Sequence, residues 1–316
     1  MKTLFAVFFT GLILFAPPPA AAAPLEISGD ATIKYESDTA DNTPTESGTM
    51  FSITLRGEQK IGHNLSLFAR LGAQYASNPI LGDFNPSFYG QNTKFAVAID
   101  QFGLIYKPKN LTFTLGRQEA SVGTTALLYS RSETNIGSNA FVDGLSVNGS
   151  IGSIDISAIA AKENNLWLSN NSLYALRGGY NLSPNVNMGF TWAQYNYYEA
   201  DTTRHWAVDA SVKFGKSNVI AEYAKSNNST DNKAYAVTWN YAFDGKTALY
   251  ITNFRVEANA DMGGQSDFDN NNRGFYYGVT HSLNDNLSLE VIYKNQVLLA
   301  DDSKNAKLEI WLKNKF

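Results

Sequence analysis

The 316-residue chain has no cysteine, only three histidines and no surplus of basic residues: 25 Lys and Arg stand against 29 Asp and Glu. Without cysteine, a disulfide framework and cysteine-ligated zinc or iron–sulfur sites are excluded. A formal net charge of −4 with no clustered Lys/Arg face excludes an ordinary nucleic-acid binder. Charged residues are scarce at 17%. Long apolar runs are missing beyond the first sixteen residues, and a mean hydropathy of −0.24 rules out a bundle of membrane-spanning helices. What is abundant is aromatic (13%, with 17 Tyr and 19 Phe) and glycine (24). That mixture suits a chain that turns every second residue towards lipid. The length admits one large all-β domain or two ordinary domains.

The N-terminus reads as a secretory signal. Met1-Lys2-Thr3 supplies a positive charge, residues 4–16 an apolar core, and Pro17-Pro18-Pro19-Ala20-Ala21-Ala22 a small-residue cut site. A spanning helix needs roughly 20 apolar residues, and the prolines end this run too soon. Cleavage is expected after Ala22, because a cut after Ala23 would leave Pro24 beside the scissile bond. The division is then 1–22 as a cleaved signal and 23–316 as an exported body. Loss of Lys2 leaves 24 basic against 29 acidic side chains, a net charge of −5.

The body repeats one habit. In Leu25-Glu26-Ile27-Ser28-Gly29-Asp30-Ala31-Thr32-Ile33-Lys34-Tyr35-Glu36, odd positions are apolar or small and even positions charged or hydroxylic. Period two places one set of side chains on each face of a strand. The pattern returns at Phe51-Ile53-Leu55, Leu65-Leu67-Ala69-Leu71, Val186-Met188-Phe190-Trp192, Trp206-Val208-Ala210-Val212, Tyr235-Val237-Trp239-Tyr241 and Leu287-Leu289-Val291-Tyr293. No helical period competes with it. Short connectors built on turn formers, such as Gly62-His63-Asn64, Ser183-Pro184-Asn185 and Asp244-Gly245-Lys246, alternate with long polar ones at 38–47, 77–92, 226–233 and 257–272. Short turns on one rim and long loops on the other predict a transmembrane antiparallel up-and-down β-barrel of about 16 strands. Both termini then lie on the short-turn side.

A soluble β-sandwich or ligand-binding barrel would point its apolar face inward beneath a richly charged surface. Here aromatics fall at the ends of the apolar faces: Tyr35, Tyr75, Tyr223, Tyr235 and Tyr293 towards long loops, Tyr106, Tyr180, Tyr241, Phe243 and Phe316 towards short turns. Two such belts match the two lipid–water interfaces. The last strand, Leu308-Glu309-Ile310-Trp311-Leu312-Lys313-Asn314-Lys315-Phe316, ends on an aromatic. This resembles the C-terminal recognition signal of Gram-negative outer-membrane proteins.

The hairpin Asp100-Gln101-Phe102-Gly103-Leu104-Ile105-Tyr106 and Leu111-Thr112-Phe113-Thr114-Leu115-Gly116-Arg117-Gln118, followed by Phe141-Val142-Asp143-Gly144-Leu145-Ser146-Val147-Asn148, resembles the general bacterial (Gram-negative) outer-membrane porins. The resemblance implies a long third loop near 118–140 folded into the lumen, a water-filled pore narrowed there to an eyelet, and a homotrimer in outer-membrane lipid. It further implies basic side chains on the wall facing acidic ones on the loop.

From size alone, eight strands are filled by their own side chains, whereas about sixteen leave an aqueous lumen. The inward set includes Lys34, Arg56, Arg70, Arg177 and Lys213 with Asp30, Glu36, Glu58, Asp209 and Glu222, charges that water in a channel would keep solvated. For the constriction, Arg56 and Arg70 share a polar face on adjacent strands. Arg117 has the outward parity of Leu111, Phe113 and Leu115, so a bulge at Gly116 would be needed to turn it inward. Glu119 and Glu133 are the loop carboxylates expected to face the arginines, with Asp143 at the loop exit, while Arg131 makes the loop less than purely acidic. Lys34, Glu58 and Arg177 are expected to line the lumen elsewhere.

An enzyme would need a site, and His63, His205 and His281 lie at different depths with no Ser within reach of a triad. Asp267-Phe268-Asp269-Asn270-Asn271 lacks the glycine and terminal Glu of a calcium loop and reads as a plain loop, so substitutions at Asp267 and Asp269 should do little. No metal, cofactor or nucleic acid is expected, and the partners are ions and small hydrophilic solutes. The function expected is passive diffusion through an outer-membrane porin. Two alternatives stand beside it: a substrate-selective channel, towards which Tyr195 and Tyr197 point as an aromatic line, and a non-conducting barrel serving as adhesin, anchor or enzyme.

Overall fold

The computed structural model describes residues 24–41, 43–78, 94–132, 134, 136–137, 140–163 and 170–316. The expected signal at 1–22 and most of the connector 77–92 lie outside the described residues. The strands are β1 (Glu26–Ala40), β2 (Glu46–Lys60), β3 (Leu65–Ala76), β4 (Phe95–Tyr106), β5 (Leu111–Gln118), β6 (Ala120–Val122), β7 (Tyr129–Arg131), β8 (Val142–Ile151) and β9 (Ile154–Glu163). They continue as β10 (Ser172–Ser183), β11 (Val186–Asn196), β12 (Thr203–Phe214), β13 (Ser217–Ser226), β14 (Lys233–Ala242), β15 (Thr247–Val256), β16 (Asn272–Ser282), β17 (Leu287–Leu298) and β18 (Lys304–Lys315). All but β6 and β7 join in one closed antiparallel barrel of sixteen strands, sealed where β1 pairs with β18. Closure leaves no open edge, the condition for crossing hydrocarbon with strands. Phe316 and Gly29 exchange backbone hydrogen bonds of 2.9 and 3.0 Å, which ties the chain's last residue to its first strand.

The alternation read from sequence becomes two faces. Ile33, Phe51, Leu71, Trp192, Val208 and Val279 are exposed on the outer face, while Thr32, Lys34, Ser52, Thr191 and Asp209 are buried on the inner one. Tyr35, Tyr75 and Tyr293 at one rim, and Tyr106, Tyr180, Phe243 and Phe316 at the other, are exposed on the outer face. One connector is shorter than expected. In place of a loop over 38–47, β1 runs on to Ala40 and β2 begins at Glu46, pairing Ser37 with Ser47 and Asp38 with Glu46. The threonines there favour extended backbone, and Thr39 and Thr45 bridge the strands through their hydroxyls at 3.1 Å.

Between β5 and β8 the chain leaves the wall after Gln118 and rejoins it at Val142, its pairing partner. The intervening residues include the small hairpin of β6 and β7. Leu127, Leu128 and Tyr129 are fully buried there, in one apolar cluster with Ala193, Ala207, Ala224 and Ala236 of β11 to β14. Small wall residues leave room for large loop ones, and each buried leucine contributes about 1.5–3 kcal/mol.

Candidate functional site

The wall strands hold their charges through register. In β3–β4 the pairing slips between Arg70 and Leu71, so Asp100 is an extra residue. Such a bulge re-aims side chains. Before it Phe95, Val97 and Ile99 are exposed outward; after it Phe102 and Tyr106 are. Asp100 points inward and grips Arg70 with two bonds of 2.8 Å, from Nε to Oδ1 and from Nη2 to Oδ2. The pair lies over Gly72, where a Cβ would sit 2.5 Å from the Asp100 carboxylate. Phe141 covers the Arg70 guanidinium at 4.7 Å, and the Gly137 N–H donates to Asp100 at 3.3 Å. Arg70 is therefore a buried structural cation rather than an open pore charge.

Arg117 and Asp143 correct the sequence expectation. No bulge forms at Gly116; pairing runs unbroken from Phe102 opposite Arg117 to Tyr106 opposite Phe113, and from Leu111 to Gln118 against β8. Arg117 therefore keeps the outward parity of Leu115. It bonds Asp143, its cross-strand partner, through Nε and Nη2 at 2.8 Å each, and lies 5.4 Å from the Phe102 ring centre. Both residues are on the outer face, not in the lumen.

On the inner face, wall and loop residues enclose a cavity of about 720 Å³. From the wall come Arg56, Gln101, Gln118, Asn148, Arg177 and Thr191; from the segment after β5 come Glu119, Ser121, Arg131 and Ser132. Arg56 lies 4.2 Å from the centre of the Phe68 ring and donates to Gln101 Oε1 at 3.4 Å. Glu58 and Glu119 both attract its guanidinium. Arg177 reaches past β11 to Asp209, with bonds of 2.6 and 3.0 Å. Gly189 makes this possible, since a side chain there would collide with both partners. Arg131 sits 3.7 Å from Glu163 and donates to the Tyr129 hydroxyl at 3.3 Å.

Of the other residues singled out from sequence, Lys34 is fully buried in an ion cluster with Glu36 at 2.7 Å and Glu309 at 3.4 Å, against Trp311, and is not part of the cavity lining. Glu58 faces Lys107 at 3.9 Å and is likewise outside that lining. Glu133 lies outside the described residues. Tyr195 does not form an aromatic line along an open path. It is buried, donates to Glu163 at 2.7 Å and packs edge-on against Tyr197 at 4.8 Å. Burial beside Glu163 also holds the Tyr129 phenol far above its ordinary range, so it stays a neutral donor. His205 is buried between Thr203 Oγ1 (2.9 Å) and the Ala260 carbonyl (3.0 Å), a structural role.

Two contributors escape the sequence reading. Alternation puts Glu222 of β13 on the inner face but does not mark it as an anchor: it accepts from the Thr125 N–H at 2.7 Å and hydroxyl at 2.8 Å. Asp267 reads as plain loop, yet it lines the cavity. Loops carry no period, so nothing in the sequence announces either contact.

The model of the family described as Gram-negative porin matches residues 9–297. The chain belongs to that family. Among solved structures, this porin resembles Salmonella typhi OmpF in complex with daunomycin, with a TM-score of 0.63 and 16% identity over 92% of this chain and 97% of that one. It also resembles engineered variants of the porin of Rhodopseudomonas blastica; one has a TM-score of 0.60 and 13% identity, covering 92% of this chain and all of the other. No curated protein matches by sequence. The porin is a passive channel built as an outer-membrane barrel.

Proposed function

We propose that the segment near 118–140 folds into the lumen as the constriction, and that ions and small hydrophilic solutes pass it under the influence of Arg56 and Arg177 from the wall and of Glu119 and Arg131 from that segment. The observation that carries this is a cavity to which wall and loop both contribute side chains. Charges lining a narrow aqueous path sort solutes by sign. The test is the zero-current potential of purified protein in planar bilayers under a salt gradient. Arg56→Ala should shift selectivity towards cations and Glu119→Gln towards anions, while Arg70→Met paired with Asp100→Met should leave it unchanged. Unaltered selectivity in both single variants, with the barrel folded, would remove these residues from the constriction.

The exported chain begins after Ala22 in this reading, and N-terminal sequencing of the mature protein checks it. The homotrimer is part of the same proposal. Family membership supports it, and so does the outward Arg117–Asp143 pair. Phe102, opposite Arg117, lies four residues from the rim residue Tyr106, or about 13 Å along the strand. An ion pair at that height is costly against hydrocarbon and is better accommodated against another subunit. Mass measurement in mild detergent that finds only monomers would count against it.

A further inference from the structure

We infer that Asp267, on the connector between β15 and β16, is a specificity-determining carboxylate of the conduction path, so that two loops rather than one set the preference for cations. This rests on the channel reading above. The connector is not loose. Buried Asp261 accepts from the Gly264 and Ser266 N–H groups at 3.1 Å each and from Asn270 Nδ2 at 2.9 Å, knotting the chain around one carboxylate. Phe268 is stacked on Phe254 at 5.0 Å and on Tyr276 at 5.8 Å.

The backbone then runs beside the segment that enters from β5. The Met262 N–H donates to the Leu128 carbonyl at 2.8 Å, the Ser130 N–H to the Gln265 carbonyl at 2.6 Å, and the Asp267 N–H to the Ala126 carbonyl at 3.1 Å. Gln265 Nε2 donates to Glu163 at 2.7 Å, which fastens the same stretch to the wall. Residue 267 is thereby fixed, with its exposed side chain on the cavity shared with Arg56, Glu119 and Arg177. Ser130 Oγ lies 3.5 Å from its Oδ1.

A space of 720 Å³ is on the order of 10 Å across, so a carboxylate on its boundary acts on a crossing ion over about one Debye length, ~8 Å. At that separation the attraction in water changes an ion's local concentration by about twofold. Low-dielectric walls enlarge the effect.

The experiment is the zero-current potential and single-channel current of the full-length porin under a potassium chloride gradient. Asp267→Asn should lower the potassium-to-chloride permeability ratio by about twofold, and Asp267→Lys should lower it further. Asp269→Asn, on the same connector but bonded to Gln296 at 2.5 Å and outside the cavity lining, should leave the ratio unchanged. Because the chain has no cysteine, Asp267→Cys creates a unique thiol. A positively charged thiol reagent added to open channels should then change the current in discrete steps. An unchanged ratio in both Asp267 variants, or a thiol whose modification leaves the current untouched, would overturn the inference while the channel reading stands. A wild-type protein that conducts no ions would overturn the channel reading itself.

Discussion

Two arginine–aspartate pairs on neighbouring stretches of wall share one geometry and face opposite ways. Arg70 and Asp100 meet inside, under Phe141; Arg117 and Asp143 meet outside, beside Phe102. Each is bidentate with bonds of 2.8 Å. The difference is one of parity. Arg70 and Asp100 stand at inward positions of β3 and β4, and the extra residue at Asp100 re-faces only the later residues of β4, from Phe102 on; Arg117 and Asp143 keep the outward positions of Leu115 and Leu145. In a sheet of period two, a single inserted residue moves every later side chain to the other face.

The largest effect expected is from breaking the inner pair. Asp100→Ala leaves a buried guanidinium without its carboxylate, which costs about 3–5 kcal/mol. The midpoint of denaturant unfolding in detergent should fall accordingly, and replacing both Arg70 and Asp100 by methionine should recover most of the loss. If the single and double variants are equally unstable, the pair is not what holds this stretch of wall.

The outer pair should respond differently. Arg117→Leu with Asp143→Leu exchanges two charges for apolar side chains on the outer face and should leave monomer folding intact. If that face meets a second subunit, the temperature at which subunits separate on gels should drop. Lipid exposure predicts the reverse, a barrel that becomes more stable with the charges removed.

Glu222 tests whether inward carboxylates that hold a loop behave like those that hold an arginine. Glu222→Ala leaves the half-buried Thr125 N–H without its acceptor, at a cost of up to about 1–3 kcal/mol. The cost should fall on the loop alone: faster proteolysis within 118–140 and noisier open-channel current, with the barrel's unfolding midpoint nearly unchanged.

Asp244, at a turn and on neither face, gives the smallest effect. The Lys246 N–H, with that of Thr247, holds its carboxyl below the ordinary value of 3.8. Its contribution is present above that ordinary value and is lost as pH falls through the lowered one. Asp244→Ala should remove this acid-side slope from the unfolding profile and leave a small loss of stability that is independent of pH near neutrality.

Much of this is legible in advance because barrel strands obey a period. Alternation assigns Lys34, Arg56, Arg177 and Glu222 to the inner face, and turn formers alternating with long connectors set the strand number. Where the period fails, so does the reading. The slip at Asp100 has no glycine or proline at the extra residue itself, while Gly116 has the look of a bulge and is not one. Alternation could place Arg70 inside but could not reveal that Phe141 covers it.

Which side chains share a face, how many strands close the barrel and that its interior is polar all follow from the amino-acid order alone, because backbone geometry and hydrophobic patterning act between near neighbours. Which inward charges open onto the cavity and which are sealed in pairs was settled by the folded barrel, as was the side-by-side course of residues 126–130 and 262–267. Those outcomes depend on contacts such as Thr125 with Glu222 and Asp267 with Ala126, between residues about a hundred or more positions apart, and no local pattern encodes contacts of that kind.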